Sequence, residues 1–332
     1  MKNQPSRITP QLPLIEEFVA EPGKKVKGIW YVLDNCAGLP ETIPIWIIQG
    51  NDIGPTLWIQ ATVHGDEYAG TWAASALAND VNLENLKGRV IILPVVNLHA
   101  FYARQKTSPV DSLDISHQIP GDPEGTLSQK IAYVINKKIL ETADAMIDIH
   151  SGTSIYFCKE FAIYAGGLKA SQKAEQLALH TGAPYIVQEK IYKNSELTMF
   201  MYATENGVPG IMISSGGHRR VENAFWRPIV NQCKNIMRFL GMLPETIFPA
   251  KKETIFQGIE FIPCSVGGII INSVNLGDWV KKGQILARLF DVFGELVEEI
   301  VCPVEHALVI EHASGLLMPG EGAIELLLRD HS

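Results

Sequence analysis

The chain lacks a CxxC pair, a membrane-length apolar run and any excess of positive charge. Its five cysteines, at 36, 158, 233, 264 and 302, are odd in number and scattered over 332 residues. That argues against a disulfide framework and against a Cys-based zinc finger. No uninterrupted apolar stretch approaches the ~20 residues of a membrane span, so no membrane partner is expected. The opening "MKNQPSRITPQLPLIEEFVA" lacks the apolar core and small-residue cleavage site of a signal peptide, and the expected location is cytoplasmic. With 36 acidic against 28 basic residues the net charge is −8, which argues against a nucleic-acid surface. Nothing in the pattern specifies an oligomer.

What is present is an ordinary globular hydrophobic fraction, 46%, on a chain long enough for one large domain and a smaller one. Strand-like runs ("KGIWYVL", "IPIWIIQ", "PTLWIQATV", "GRVIILPVV", "AMIDI", "FAIYA", "PGIMIS") alternate with helical patterns over 67–80, 126–143, 171–182 and 227–243. Such alternation predicts an α/β layer fold with a parallel or mixed sheet flanked by helices over residues 1–250. From 251 to 332 the pattern changes to short strands and glycine turns, which predicts a second, smaller, all-β domain.

Four of the strand-like runs stop at polar residues: His64, Asn97, His150 and Ser214. Ligands of open α/β sheets bind beyond the carboxyl ends of strands, so these ends are a candidate pocket floor. The stretch "TLWIQATVHGDEYAG" adds Glu67 three residues after His64, a spacing that puts both side chains on one face at a helix start. Together with His150 they make two imidazoles and a carboxylate, a set suited to zinc with one open position. Asp148, two residues before His150 on the same strand face, is placed to orient an imidazole. The bland alternative makes Glu67 a first-turn acid that complements the helix dipole and His150 a loop histidine.

The blocks "HGDEYAG", "LPVVNLHAF", "SPVDSLDISHQIPGDPEGTLSQKIA", "DIHSG" and "GVPGIMISSGG" resemble, in order, those of the succinylglutamate desuccinylase/aspartoacylase family. The resemblance runs over nearly the whole chain. It implies a zinc-carboxypeptidase-like fold, one zinc ion per chain held by His64, Glu67 and His150, and hydrolysis of a small N-acylated substrate.

Departures from the family pattern fall on the substrate side. Where the family has Asn-Arg to grip a carboxylate, "DISHQIPG" has Ser116 and His117, neither of which reproduces a planar, always-charged fork. The family arginine that polarises the scissile carbonyl falls on Lys106, with Arg104 two residues away as a substitute. Asn97 is assigned to the substrate side of the pocket. The glutamate that serves as general base in the family is replaced by Ser214, a loss that typically costs about 10²–10⁴ in rate. Asp66, Glu205 and Glu222 are rescue candidates, and Ser214 with His117 makes only a weak nucleophile–base pair.

The tail "GGIIINSVNLGDWVKKGQILARLF" resembles half of a lipoyl- or biotinyl-carrier domain, which implies a barrel-sandwich. Its bridge "DVFGELVEEIVCP" has no lysine to modify, so a carrier role is not expected. As in the family, the tail is expected to wall the substrate pocket. The reading is a zinc-dependent deacylase in which activated water attacks the acyl carbonyl and Lys106 or Arg104 stabilises the oxyanion. The alternative is a zinc-binding homologue, impaired at Ser214, that only binds a small molecule.

Overall fold

The computed structural model describes residues 12–35, 37–191, 196–250 and 255–329. Cys36 and the first residues of the expected tail, 251–254, lie outside them. The elements begin with β1 (Leu14–Ile15), β2 (Lys24–Asp34), β3 (Pro40–Gln49), β4 (Asp52–Ala61), α1 (Tyr68–Asp80), β5 (Lys87–Leu93) and α2 (Leu98–Ala103). There follow α3 (Leu127–Thr142), β6 (Ala145–His150), β7 (Tyr156–Gly166), α4 (Ser171–Leu179), β8 (Tyr185–Lys190), α5 (Met199–Glu205), β9 (Gly210–Gly217) and α6 (Asn223–Phe239). Beyond α6 the described residues form strands and no helix. These are β10 (Ile255–Phe256), β11 (Ile259–Pro263), β12 (Gly268–Asn272), β13 (Trp279–Val280), β14 (Ile285–Phe290), β15 (Leu296–Val301), β16 (Ala307–Ala313), β17 (Gly315–Leu317) and β18 (Gly322–Leu328).

A long mixed sheet runs in the order β1-β2-β3-β5-β4-β6-β9-β7-β16-β18-β11. Its centre is parallel (β5, β4, β6, β9), and β7 returns antiparallel to β9. Both faces of this centre are covered, which is why its strands read as nearly continuous apolar runs rather than clean alternations. Period two still sorts the residues. Ile91 and Leu93 of β5 face the core that holds Ile131, Ile135 and Ile139 of α3, while Val90 and Ile92 face the core that holds Leu77 of α1 and Ile236 of α6. Each buried aliphatic side chain contributes about 1.5–3 kcal/mol of transfer free energy, so a one-residue slip of β5 would forfeit several at once.

The C-terminal strands enter the same sheet. β16 pairs antiparallel with β7, matching Glu311 to Cys158, His312 to Phe157 and Ala313 to Tyr156. A separate antiparallel sheet, β15-β14-β12-β17, stacks over a third apolar core that includes Ile270, Leu286, Leu289, Ile300 and Val309. The turn between β4 and α1 is tight. Thr62 sits in the left-handed region at φ 59°, an expense of roughly 1–2 kcal/mol for a residue with a Cβ. A Cβ at Gly65 would collide with the Ala100 backbone of α2, so only glycine allows that approach. No described helix is long and apolar enough to cross a membrane.

Candidate metal centre and its cavity

The carboxyl ends of β4 and β6 are neighbours in the parallel centre, and this adjacency brings together His64 and His150, 86 positions apart in the chain, with ring centroids 5.1 Å apart. Glu67 stands between them. Its Oε1 lies 2.6 Å from His64 Nδ1 and its Oε2 lies 3.1 Å from His150 Nδ1. It also accepts the Ser151 N–H at 3.1 Å. The three donor atoms all lie within 4.8 Å of one another, close enough to share one metal ion. The His64–Glu67 pair is set by the turn that ends at Glu67, the N-cap of α1, rather than by a turn of helix. The expected helical spacing is corrected to that extent.

Each imidazole is backed on its other nitrogen by a carboxylate. His150 Nε2 faces Asp148 Oδ1 at 3.5 Å, and Asp148 in turn accepts Gln60 Nε2 at 3.2 Å. Gln60 also accepts the Trp58 indole N–H at 3.0 Å, so a buried polar chain runs from Trp58 to the site. His64 Nε2 lies 3.2 Å from both oxygens of Asp114. Carboxylate–imidazole pairs of this kind orient metal-ligating histidines through the ring nitrogen that does not face the metal. Burial alone would raise Glu67, but the imidazoles of His150 and His64 overcome it and hold that carboxyl down at about 2. Burial likewise opposes the charge on Asp114, yet His64, Lys106 and Ser116 hold it well below the usual carboxylate range. Two convergent ring nitrogens and one convergent carboxylate fit a metal cation.

Asp114 was absent from the expected site residues. It lies in a loop, 50 positions from His64, and the only sequence signal for it was its place in the family-like block "SLDISH". It also explains two residues that were expected. Lys106 Nζ pairs with Asp114 Oδ2 at 3.1 Å, half-exposed at the rim, and Ser116 donates its hydroxyl to Asp114 Oδ1 at 2.6 Å. His117 lines the cavity and faces the exposed Glu196 at 3.6 Å.

Other expected residues stand apart from it. Arg104 closes α2 in a left-handed conformation with an exposed side chain and does not line the cavity; its carbonyl accepts from Arg219. Asn97 is the N-cap of α2, accepting the Ala100 N–H at 3.1 Å. Neither residue is among those lining the cavity. The rescue carboxylates are also elsewhere. Asp66 binds the Ser154 N–H at 2.8 Å, Glu205 accepts from Lys169, and Glu222 pairs with Arg220.

Ser214 does line the cavity, but it is within β9 rather than at its end, and its hydroxyl lies 3.2 Å from Cys158 Sγ. Burial pushes the Cys158 thiol well above its ordinary value, so it is a neutral neighbour and no nucleophile. The cavity, about 610 Å³, is the size of a small-ligand site. Its far wall comes from the C-terminal strands and β8: Glu311 of β16, Glu325 of β18, Glu321 in the turn before β18, and Glu189 of β8. No sequence reading had placed these four. Burial, and then the facing Glu189, raises Glu325 to about 7. Burial raises Glu189 as well.

A model of the succinylglutamate desuccinylase/aspartoacylase catalytic domain matches residues 53–240. The chain is 27% identical over 271 residues to the N-alpha-acetyl-L-2,4-diaminobutyric acid deacetylase of Halomonas elongata, covering 80% of this chain and 77% of that one. Its structure is similar to the product-bound ectoine utilization protein EutE (DoeB) from Ruegeria pomeroyi. The TM-score is 0.80 at 25% identity, over 91% of this chain and 94% of that chain. The succinylglutamate desuccinylase/aspartoacylase from Rhodobacter sphaeroides shares the fold at TM-score 0.81 and 24% identity, over 97% and 100% of the two chains. With the matched model spanning more than half its length, the chain belongs to the succinylglutamate desuccinylase/aspartoacylase family.

Proposed function

We propose that this protein is a zinc-dependent deacylase whose N-acylated substrate carries a positive charge on its free end. His64, Glu67 and His150 would hold the zinc, and two imidazoles with one carboxylate suit that ion better than calcium or magnesium, which want more oxygen. When bound, such an ion supplies Lewis acidity and lowers the pKa of a water ligand to about 7. Asp114 and Asp148 orient the two rings from behind. Lys106, held at the rim by Asp114, donates toward the acyl oxygen as negative charge develops there.

The observation that carries the choice of substrate is the acidic far wall. Glu189, Glu321 and Glu325 crowd like charges into a partly enclosed cavity, and only Lys106 among its lysines and arginines opposes them. A substrate ammonium would offset that repulsion, whereas a second carboxylate would add to it. The Halomonas relative is named for an acetylated diamine, which agrees in charge. The residues that would grip a carboxylate, Ser116 and His117, offer no guanidinium fork. The acylated-substrate deacetylase among the relatives supports a hydrolase over an impaired, merely ligand-binding homologue.

The test is a substrate panel with the zinc-loaded protein. Nα-acetyl-2,4-diaminobutyrate and other N-acetylated diamines should be turned over, and N-acetylaspartate and succinylglutamate should be poor by on the order of ten- to a hundredfold, the worth of one charge-assisted contact. Efficient hydrolysis of N-acetylaspartate with none of the diamines would reject the proposal.

A further inference from the structure

Five neighbouring strands carry a row of residues from the candidate metal centre to the far wall of the cavity. His150 of β6 is in register with Ser214 of β9. Ser214 touches Cys158 of β7, Cys158 is in register with Glu311 of β16, and Glu311 with Glu325 of β18. Register partners put their side chains on the same sheet face, and all of these except Cys158 line the cavity. Strands lie about 4.8 Å apart, so β16 runs roughly 10 Å from β9, two strands away.

Ser214 and Cys158, which touch between the centre and Glu311, are small, while Phe161, the register partner of Ser214 on β7, also lines the cavity. Ser214 lines the cavity, so a longer side chain at that position of β9 would take up space that serine leaves open. Glu311 is thus the C-terminal carboxylate on the strand nearest Ser214, while Glu325 lies one strand farther out. Among the described residues no donor hydrogen-bonds its carboxylate. We infer that Glu311, supplied by the β-rich tail, is the general base and acid of the deacylation, standing in for the carboxylate that position 214 lacks.

The inference rests on the deacylase reading above. In the forward reaction Glu311 takes one proton from the attacking water as the water oxygen bonds to the acyl carbon. It then gives that proton to the amide nitrogen as the C–N bond breaks, leaving a carboxylic acid and a free amine, and the acid's remaining proton passes to the amine to give a carboxylate and an ammonium. No electron changes hands and no further reactant is needed. Burial, reinforced by the facing Glu325 and by Glu67, raises the Glu311 carboxyl well above the ordinary range, so its proton is held more tightly than that of an exposed glutamate.

The experiment compares E311Q, E311A and E325Q in the zinc-loaded full chain, assayed on Nα-acetyl-2,4-diaminobutyrate. E311Q should lower kcat by about 10²–10⁴ with zinc content and melting temperature unchanged. Added formate should restore part of the activity of E311A, and E325Q should act mainly on KM. Wild-type kcat in E311Q, or a loss confined to E325Q, overturns the inference while leaving the deacylase reading intact. If the natural protein hydrolyses nothing in the panel, the deacylase reading fails, and a crystal structure with zinc and acetate decides the placement independently. The inference needs a Glu311 oxygen within hydrogen-bond reach of the acetate, and a Glu311 turned away from it overturns the assignment.

Discussion

His64 and Asp114, 50 positions apart, meet through the imidazole Nε2, which lies 3.2 Å from both carboxylate oxygens. The same carboxylate holds Lys106 at 3.1 Å and the Ser116 hydroxyl at 2.6 Å. One loop aspartate therefore aims a candidate metal ligand and a candidate oxyanion donor together. Asp114→Asn keeps the shape but removes the charge. Zinc affinity, measured by competition with a chromophoric chelator, should fall about 10- to 100-fold, as is usual when an outer carboxylate is lost. Unchanged affinity would mean that His64 does not depend on Asp114.

The donor set itself is tested by His150→Ala. Protein purified without chelator should contain one zinc per chain, and the variant should contain none, because two remaining donors do not make a stable zinc site. Stoichiometric metal in the variant, by elemental analysis, would reject the assignment of His150.

The chain from Trp58 through Gln60 to Asp148 is fully buried. Gln60→Leu would leave the Trp58 N–H without its acceptor and Asp148 without a donor in the core. A loss of about 1–3 kcal/mol per abandoned group is expected, read from urea denaturation of the apo-protein. Zinc affinity should weaken as well, since Asp148 backs His150. A stability unchanged within error would show that water replaces the amide.

Ser214→Glu would place a carboxylate where the family resemblance expects one. Here it would be packed against Cys158 and set beside Glu311, in a cavity already crowded with acids. Activity on Nα-acetyl-2,4-diaminobutyrate should fall. A gain of 10²–10⁴ would instead show that no other base operates.

Asp111 accepts both the N–H and the hydroxyl of Ser128 in the first turn of α3, at 2.8 and 2.9 Å. Burial works against its charge, but these hydrogen bonds prevail and lower its pKa in the fold. A lowered carboxyl stabilises the folded state above the unfolded pKa of about 3.9 and loses that contribution as pH falls through the folded value. Asp111→Asn should therefore cost about 1 kcal/mol at pH 7, discounted for partial exposure, and progressively less below pH 4. A difference in unfolding free energy that grows on acidification would contradict the assignment.

Much of the molecule is legible along the chain. The runs "IPIWIIQ" and "AMIDI" become β3 and β6, and the 126–143 and 227–243 patterns overlap α3 and α6, because apolar period reports directly which face is buried. Short or mixed-pattern elements were missed. The helix α5 is only seven residues long and mostly buried, so it shows no amphipathic stripe, and β8 ends in the polar "QEK". In the site, His64, Glu67 and His150 could be grouped from strand ends and spacing. Arg104 and Asn97 cap the short helix α2, which residue counting does not show, and they do not line the cavity.

The sequence by itself determined the alternation of strands and helices, the all-β character of the last described residues, and the three donors brought within reach of one ion. Tertiary structure alone decided that Asp114 stands behind His64 and that Glu311 and Glu325 face the same cavity. The reason is the range of the interactions. Period and local spacing record how a segment buries its own side chains, within a few residues. The pairing of β16 with β7, which carries Glu311 to the cavity, joins strands about 150 residues apart through backbone hydrogen bonds, which any side chain permits and no local pattern records.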